Sequence, residues 1–371
     1  MAVITEAAVR ELAGFRGQGA PVTTCYLDVD GRRLSRHRDY EQELERILRS
    51  ARVRANGNAS VGRDLQRIED YVKAGFDRSR TRGLAIFSCS DEAFWQVLPL
   101  PVPVRSRVIV NQAPAVSQLE SLTQEFDRFG VLLADKQRAR MLVFHFGELV
   151  DHSDLLDELP RDYDSRGHSD QGDVSGHVDA LAAAHLRHAA EVAFQVFQDE
   201  PFQHFTVGAP GPIAGALEAT LHPYLRNRLC GRIAVGVTAS TAEIRDAALD
   251  VEREVERRQE ADSVSRLRGQ VATGNRALAG LAPTLEALAA RRVDQLLVSA
   301  DFNEPGWRCD ACGHLGLVGR VCPACASQLT PVDDIVEEAV EAALGQSCHV
   351  EICVDNADLD VMGRIGALLR Y

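Results

Sequence analysis

The chain has 371 residues, 45% hydrophobic and 26% charged; that length calls for two or three compact units with cores of their own, and the composition excludes a chain disordered throughout. Its 41 Lys and Arg stand against 54 Asp and Glu, a net charge of −13, which excludes the coating of duplex DNA through overall basicity. No stretch supplies the ~20 apolar residues of a membrane span, and the first 15 read as an amphipathic helix and not a secretory leader, so a cytoplasmic protein is expected.

An N-terminal domain is expected over 1–128. After the opening helix comes the strand TTCYLDVD, then a polar helical stretch from Arg32 to Arg82 with Leu44, Ile47, Leu48, Leu65, Ile68 and Tyr71 at helical spacing. That stretch holds 14 Lys and Arg against 8 Asp and Glu, a basic island in an acidic chain. Asn56-Gly57-Asn58-Ala59-Ser60 breaks it into a helical hairpin. GLAIFSC (83–89) has the apolar run of a buried strand, and FWQVLPLPVPV (94–104) is a strand ended by prolines.

A middle domain is expected over 129–255. GVLLAD and ARMLVFHF form a hairpin whose turn starts at Asp135. Residues 151–180 read as a long acidic loop, with nine Asp or Glu and only Arg161 and Arg166 as strong cations. A helix from Val178 to about Phe197, the strand FTVGA, a helix from Ala214 to Arg228, the strand GRIAVGV and a long charged helix from Thr241 follow. Such alternation predicts a partly parallel sheet.

The C-terminal domain, 256–371, contains the strand VDQLLVS (293–299), a cysteine cluster within 305–331, a helix from Asp333 to Leu344, the strand HVEICVD and the segment MGRIGALLRY. The fold class is therefore α/β: three mixed α/β domains in tandem, the third carrying a zinc-ribbon-like insertion. The insertion is Cys309-x2-Cys312-x9-Cys322-x2-Cys325. Two such pairs present four thiolates, the soft tetrahedral set of Zn²⁺, with an iron–sulfur cluster as the alternative, and with all positions taken by sulfur the zinc is structural. Nine cysteines, an odd number, argue for reduced thiols and against a disulfide framework.

Enzyme signatures are absent: no Gly-x4-Gly-Lys-Ser/Thr, no Gly-x-Gly-x-x-Gly after a strand, no Gly-x-Ser-x-Gly, no His-Glu-x-x-His. His168, His177, His185 and His188 suggest an acid/base or metal cluster on paper, but no Cys or carboxylate completes the set, so surface or partly buried histidines are expected.

The order VDQLLVS, four-cysteine insertion, acidic helix, HVEICVD and GRIGALLRY resembles the third domain of the archaeal and eukaryotic class I peptide chain release factors, to which Pelota is related. The resemblance extends to a helical hairpin in the first domain and to a hairpin, long loop and helix in the second. In the family that loop carries Gly-Gly-Gln, which positions water at the peptidyl-tRNA ester. Here it reads Arg166-Gly167-His168-Ser169-Asp170-Gln171, and a β-carbon at each former glycine removes backbone freedom. The family's Asn-Ile-Lys-Ser turn, which reads the stop codon, corresponds to Asn56–Ser60 without its lysine, and its Tyr-x-Cys element falls near 108–112 without its characteristic residues.

The resemblance thus implies a bacterial member similar to the ribosome hibernation factor Balon. It would occupy the ribosomal A site, on rRNA, without terminating translation, delivered by a translation GTPase such as EF-Tu, with no membrane or duplex DNA partner. No enzymatic activity is expected. Arg52, Arg54, Arg63 and Arg67, with Asn56, Asn58 and Ser60 of the turn and Arg166, Gly167 and His168 of the loop, are the candidate RNA contacts. The rival expectations are a peptidyl-tRNA hydrolase working through Gln171 and a ribosome-independent scaffold.

Overall fold

The computed structural model describes residues 6–17, 19–31, 37–77, 81–125, 128–145, 148–156 and 171–371. They form two compact units, one of Met1–Gln124 with Glu260–Tyr371 and one of Glu125–Gln259. The mixed α/β class expected from the sequence is what forms. The division differs from three domains in a row, because the first and third expected domains share a single unit over residues 1–124 and 260–371.

In that unit the elements run α1 (Glu6–Ala13), β1 (Val22–Asp28), α2 (His37–Arg54), α3 (Ala59–Ala74), β2 (Gly83–Cys89), β3 (Phe94–Leu100), β4 (Arg107–Asn111) and α4 (Ser117–Glu125). The strands make an antiparallel sheet in the order β3-β2-β1-β4. Tyr40, Leu44, Ile47 and Leu48 of α2 and Leu65 and Ile68 of α3 pack on Cys25, Leu27, Leu84 and Ile86, so the helical period seals one face of the sheet. The hairpin turns where Asn56 and Gly57 take φ of 45° and 82°, a conformation that costs Gly nothing and Asn little. Asn58 then caps α3 by accepting from the Ser60 and Val61 amides at 3.0 and 3.3 Å.

The second unit holds β5 (Phe129–Ala134), β6 (Arg138–His145), β7 (Glu148–Leu156), α5 (Gln171–Asp199), β8 (His204–Gly208), α6 (Gly211–Thr220), α7 (Pro223–Arg226) and β9 (Leu229–Arg232), and α8 (Thr241–Ala272) begins in it. The sheet order is β7-β6-β5-β8-β9, with β5, β8 and β9 parallel. Asp135 Oδ1 accepts from the Gln137 and Arg138 amides, both at 2.7 Å, and closes the expected β5–β6 turn.

Three sequence expectations are corrected here. The acidic stretch 151–180 is not all loop: β7 runs to Leu156 as an edge strand, where polar residues are tolerated, and α5 starts at Gln171. The helix expected over 214–228 breaks into α6 and α7 at Pro223, whose ring cannot continue a helix from the preceding turn. GRIAVGV pairs only through Arg232, after which Ile233 and Val237 pack as irregular chain on the sheet core. The boundary expected at 255/256 falls inside α8, four residues before the division between the units at Gln259/Glu260 in the same helix.

The first unit resumes with β10 (Ala277–Ala279), α9 (Leu281–Ala289), β11 (Val293–Ser299), β12 (Gly306–Arg308), β13 (Leu315–Gly316), β14 (Thr330–Val332), α10 (Ile335–Gly345), β15 (His349–Cys353), α11 (Ala357–Val361) and β16 (Ile365–Leu369). One sheet is β10-β16-β11-β15; the three-stranded ribbon is β13-β12-β14.

What joins the two ends of the chain is α10. Asp334, Glu337, Glu338 and Glu341 are all buried. They meet arginines from distant segments: Arg107 pairs with Glu337, Arg308 with Glu338 and Glu341, and Arg16 with Glu341. Asn111 both accepts from the Asp334 amide and donates to its carbonyl. Buried carboxylates persist only when paired in this way.

Burial, then the charge of Glu337, pushes the Asp334 carboxyl up to about 7 against the pull of Arg107. An unfolded Asp titrates near ~3.9, so the fold binds this proton more tightly; that stabilisation is complete below about pH 4 and is lost as pH rises through 7. Asp334→Asn mimics the protonated form and keeps the helix cap. Its urea midpoint should therefore gain on wild type between about pH 5 and about pH 8. A gap that does not change with pH would mean that Asp334 stays ionised beside Arg107.

Candidate functional site

The four cysteines converge. Their sulfurs all lie within 4.8 Å of one another, with Cys309 to Cys325 at 3.4 Å and Cys312 to Cys322 at 3.5 Å. A tetrahedral Zn–S distance of ~2.3 Å implies sulfurs about 3.8 Å apart, so the set needs almost no movement to close on an ion. The two knuckles are built alike. The Gly313 amide donates to the Cys309 carbonyl at 2.8 Å, and the Ala326 amide to that of Cys322 at 2.9 Å. The Cys309 amide reaches His314 and the Cys322 amide Ser327, each at 2.8 Å. Gly313 and Ala326 both take positive φ, the bend that brings the second thiol of each pair round. The site can hold one metal ion with four sulfur ligands, which leaves no position for a substrate. Among the described residues this is the only cluster of three or more His, Cys, Asp or Glu side chains of that kind.

The candidate RNA contacts of the hairpin lie together but are engaged within the chain. Arg52 pairs with Glu69 at 2.5 Å, Arg63 with Asp91, and the Arg67 guanidinium sits 4.3 Å from the centroid of the Trp95 ring. Arg54 is tied more firmly, to Asp333 at 3.2 Å and to the Val108 carbonyl and Ser50 Oγ at 2.8 Å each. Asn56 and Asn58 build the turn itself, and Ser60 is buried. The Arg52 and Arg63 pairs are solvent-exposed, so exchanging a carboxylate for a phosphate costs little there. Arg166, Gly167 and His168 lie outside the described residues; the backbone of Gln171 opens α5.

Among the described residues no His cluster of three or more ligands forms. His185 is buried in α5 and His188 exposed; His168 lies outside the described residues, and nothing is placed for the His177 side chain. The structure does unite groups with no sequence signal. His204 Nδ1 lies 3.1 Å from Cys230 Sγ across β8 and β9, and its Nε2 lies 3.5 Å from Glu256 on α8. Burial lowers the imidazole pKa and raises that of the thiol, so both are neutral at pH 7. The members are 26 residues apart on neighbouring strands, a spacing no motif anticipates.

Residues 114–253 match the family described as bacterial archaeo-eukaryotic release factor family 10. No curated protein matches. Similar solved structures include an archaeal translation termination factor, aRF1, at 14% identity over 100% of this chain and 99% of that one, with a TM-score of 0.26. Archaeoglobus fulgidus Pelota shares 17% identity over 80% and 81%, with a TM-score of 0.33. Dom34 of S. cerevisiae, a translation termination-like factor, shares 9% over 78% and 79%, with a TM-score of 0.42.

Proposed function

We propose that this release-factor-related chain is a ribosome-associated translation factor that occupies the A site without releasing the nascent peptide, in dormancy or stalling. The observation that carries the reading is a middle segment of release-factor type in which Ser169 and Asp170 precede Gln171 where the family has two glycines. A hydrolytic loop must set its Gln and backbone amides within hydrogen-bond reach of the ester on glycine conformations. Nine carboxylates between 151 and 180 also oppose entry into an RNA-walled cavity. The four-cysteine site holds structural Zn²⁺, and a translation GTPase such as EF-Tu delivers the protein. Gln171 is retained, which keeps a peptidyl-tRNA hydrolase as the second reading.

Co-sedimentation with bacterial ribosomes, followed by single-turnover peptide release, tests both. Wild type should pellet with ribosomes, weaken as salt rises and release no peptide above background. Arg52→Glu with Arg63→Glu should lower pelleting steeply; Arg54 is spared because it holds the Val108 carbonyl. Peptide release lost on Gln171→Ala would replace this reading with the hydrolase, and failure to pellet at any salt would remove both.

A further inference from the structure

In the second unit, β9 is the edge strand of the sheet, and its ladder to β8 slips by one residue. Phe205 stands opposite Leu229 and Thr206 opposite Gly231, so Cys230 is the extra residue of a bulge. A bulge re-aims the side chain that it carries. Here the thiol comes 3.1 Å from His204 Nδ1, and His204 Nε2 lies 3.5 Å from Glu256 on α8. We infer that Cys230 is a site of covalent modification, a thiol that His204 activates toward hydroperoxides.

Cys230 stands apart from the other cysteines. Cys25, Cys89, Cys348 and Cys353 are buried, and Cys309, Cys312, Cys322 and Cys325 make up the metal set, whereas Cys230 is half-buried. The ring beside it is oriented for proton transfer: with Nε2–H turned to the Glu256 carboxylate, the Nδ1 lone pair faces the thiol. The thiol proton has a second acceptor, the Arg228 carbonyl at 3.2 Å, but the imidazole is the group that can take the proton up and return it.

That relay fits a hydroperoxide. Burial raises the thiol above its ordinary pKa, so little thiolate exists at rest and the proton must leave as the sulfur reacts. Sγ attacks the terminal oxygen of R–O–O–H while its proton passes to Nδ1. The S–O bond forms, the O–O bond breaks with its electron pair on the leaving oxygen, and that oxygen takes the proton from Nδ1. The products are Cys230–SOH and ROH: sulfur is oxidised by two electrons and the peroxide is reduced by two. A reagent of two reacting oxygens needs no cavity round the sulfur. Cys230 is the one cysteine between residues 125 and 259, so its unit has no second thiol to close a disulfide. A small external thiol completes the sequence, giving a mixed disulfide and water.

Full-length protein treated with tert-butyl hydroperoxide in the presence of dimedone, followed by peptide mass spectrometry, tests this without the ribosome. Cys230 should carry the sulfenic acid adduct and form it faster than free N-acetylcysteine at pH 7. His204→Gln should slow that reaction on the order of tenfold or more. Iodoacetamide releases iodide, which needs no proton, so alkylation of Cys230 in His204→Gln should fall less than oxidation does. Glu256 acts through His204 as a positioning residue: Glu256→Leu should slow oxidation, and Glu256→Gln, whose amide oxygen still accepts Nε2–H, should restore most of the rate. A Cys230 that reacts no faster than N-acetylcysteine would overturn the proposal. Equal losses of oxidation and alkylation in His204→Gln would do the same, since they would show that the histidine only controls access to the sulfur.

Discussion

Stripping the metal, or replacing Cys309 or Cys322 by Ser, is expected to unfold the ribbon from Gly306 to Val332. Three short strands of three, two and three residues cannot hold themselves together. Structural Zn²⁺ binding is worth about 10–16 kcal/mol in zinc-finger peptides, and without it four thiols in two knuckles have nothing to close on. Cys309 and Cys322 are the buried pair, so their loss also opens the small core with Leu329 and Trp307. The damage should spread, because Arg308, the last residue of β12, is the partner of Glu338 and Glu341 on α10. Elemental analysis should find one zinc per chain, and hydrogen exchange should rise across the ribbon first and along α10 next. A chelated protein with unchanged exchange would show that the ribbon stands without metal.

Arg107→Met should destabilise the first unit by about 3–5 kcal/mol, the usual cost of stranding a buried charge. Arg107 pairs with Glu337, lies 3.8 Å from Asp334 and donates to Ser117. Its removal leaves two carboxyls in a site where water cannot compensate. Arg63→Met is the contrast: its pair with Asp91 is exposed and its loss should cost about 0–1 kcal/mol. Adding Glu337→Gln to Arg107→Met should recover part of the loss, since the uncompensated charge goes with it. Urea midpoints of the four proteins check this, and equal losses for the two arginine variants would show that the α10 contacts are not a buried network.

Local chemistry was enough for much of this molecule. The helical hairpin follows from the spacing of Leu44, Ile47, Leu48, Leu65 and Ile68, its turn from Asn56-Gly57, and the β5–β6 turn from Asp135, because periodicity and turn conformation are set by neighbours in the chain. The cysteine spacing likewise states its own geometry, since each Cys-x2-Cys is one knuckle whatever surrounds it. Tertiary structure decided the rest. Charge counting made the Arg32–Arg82 stretch a basic surface, yet Arg54 is held by Asp333, 279 residues away. Glu337, Glu338 and Glu341 belong to the expected acidic helix, and they are buried because Arg107, Arg308 and Arg16 arrive there from three separate segments. β7 was hidden for a related reason, since an edge strand is stabilised by the ladder to β6 and not by apolar residues of its own. Whether a charge lies in water or against a partner depends on packing between distant segments, which no local pattern of residue types encodes.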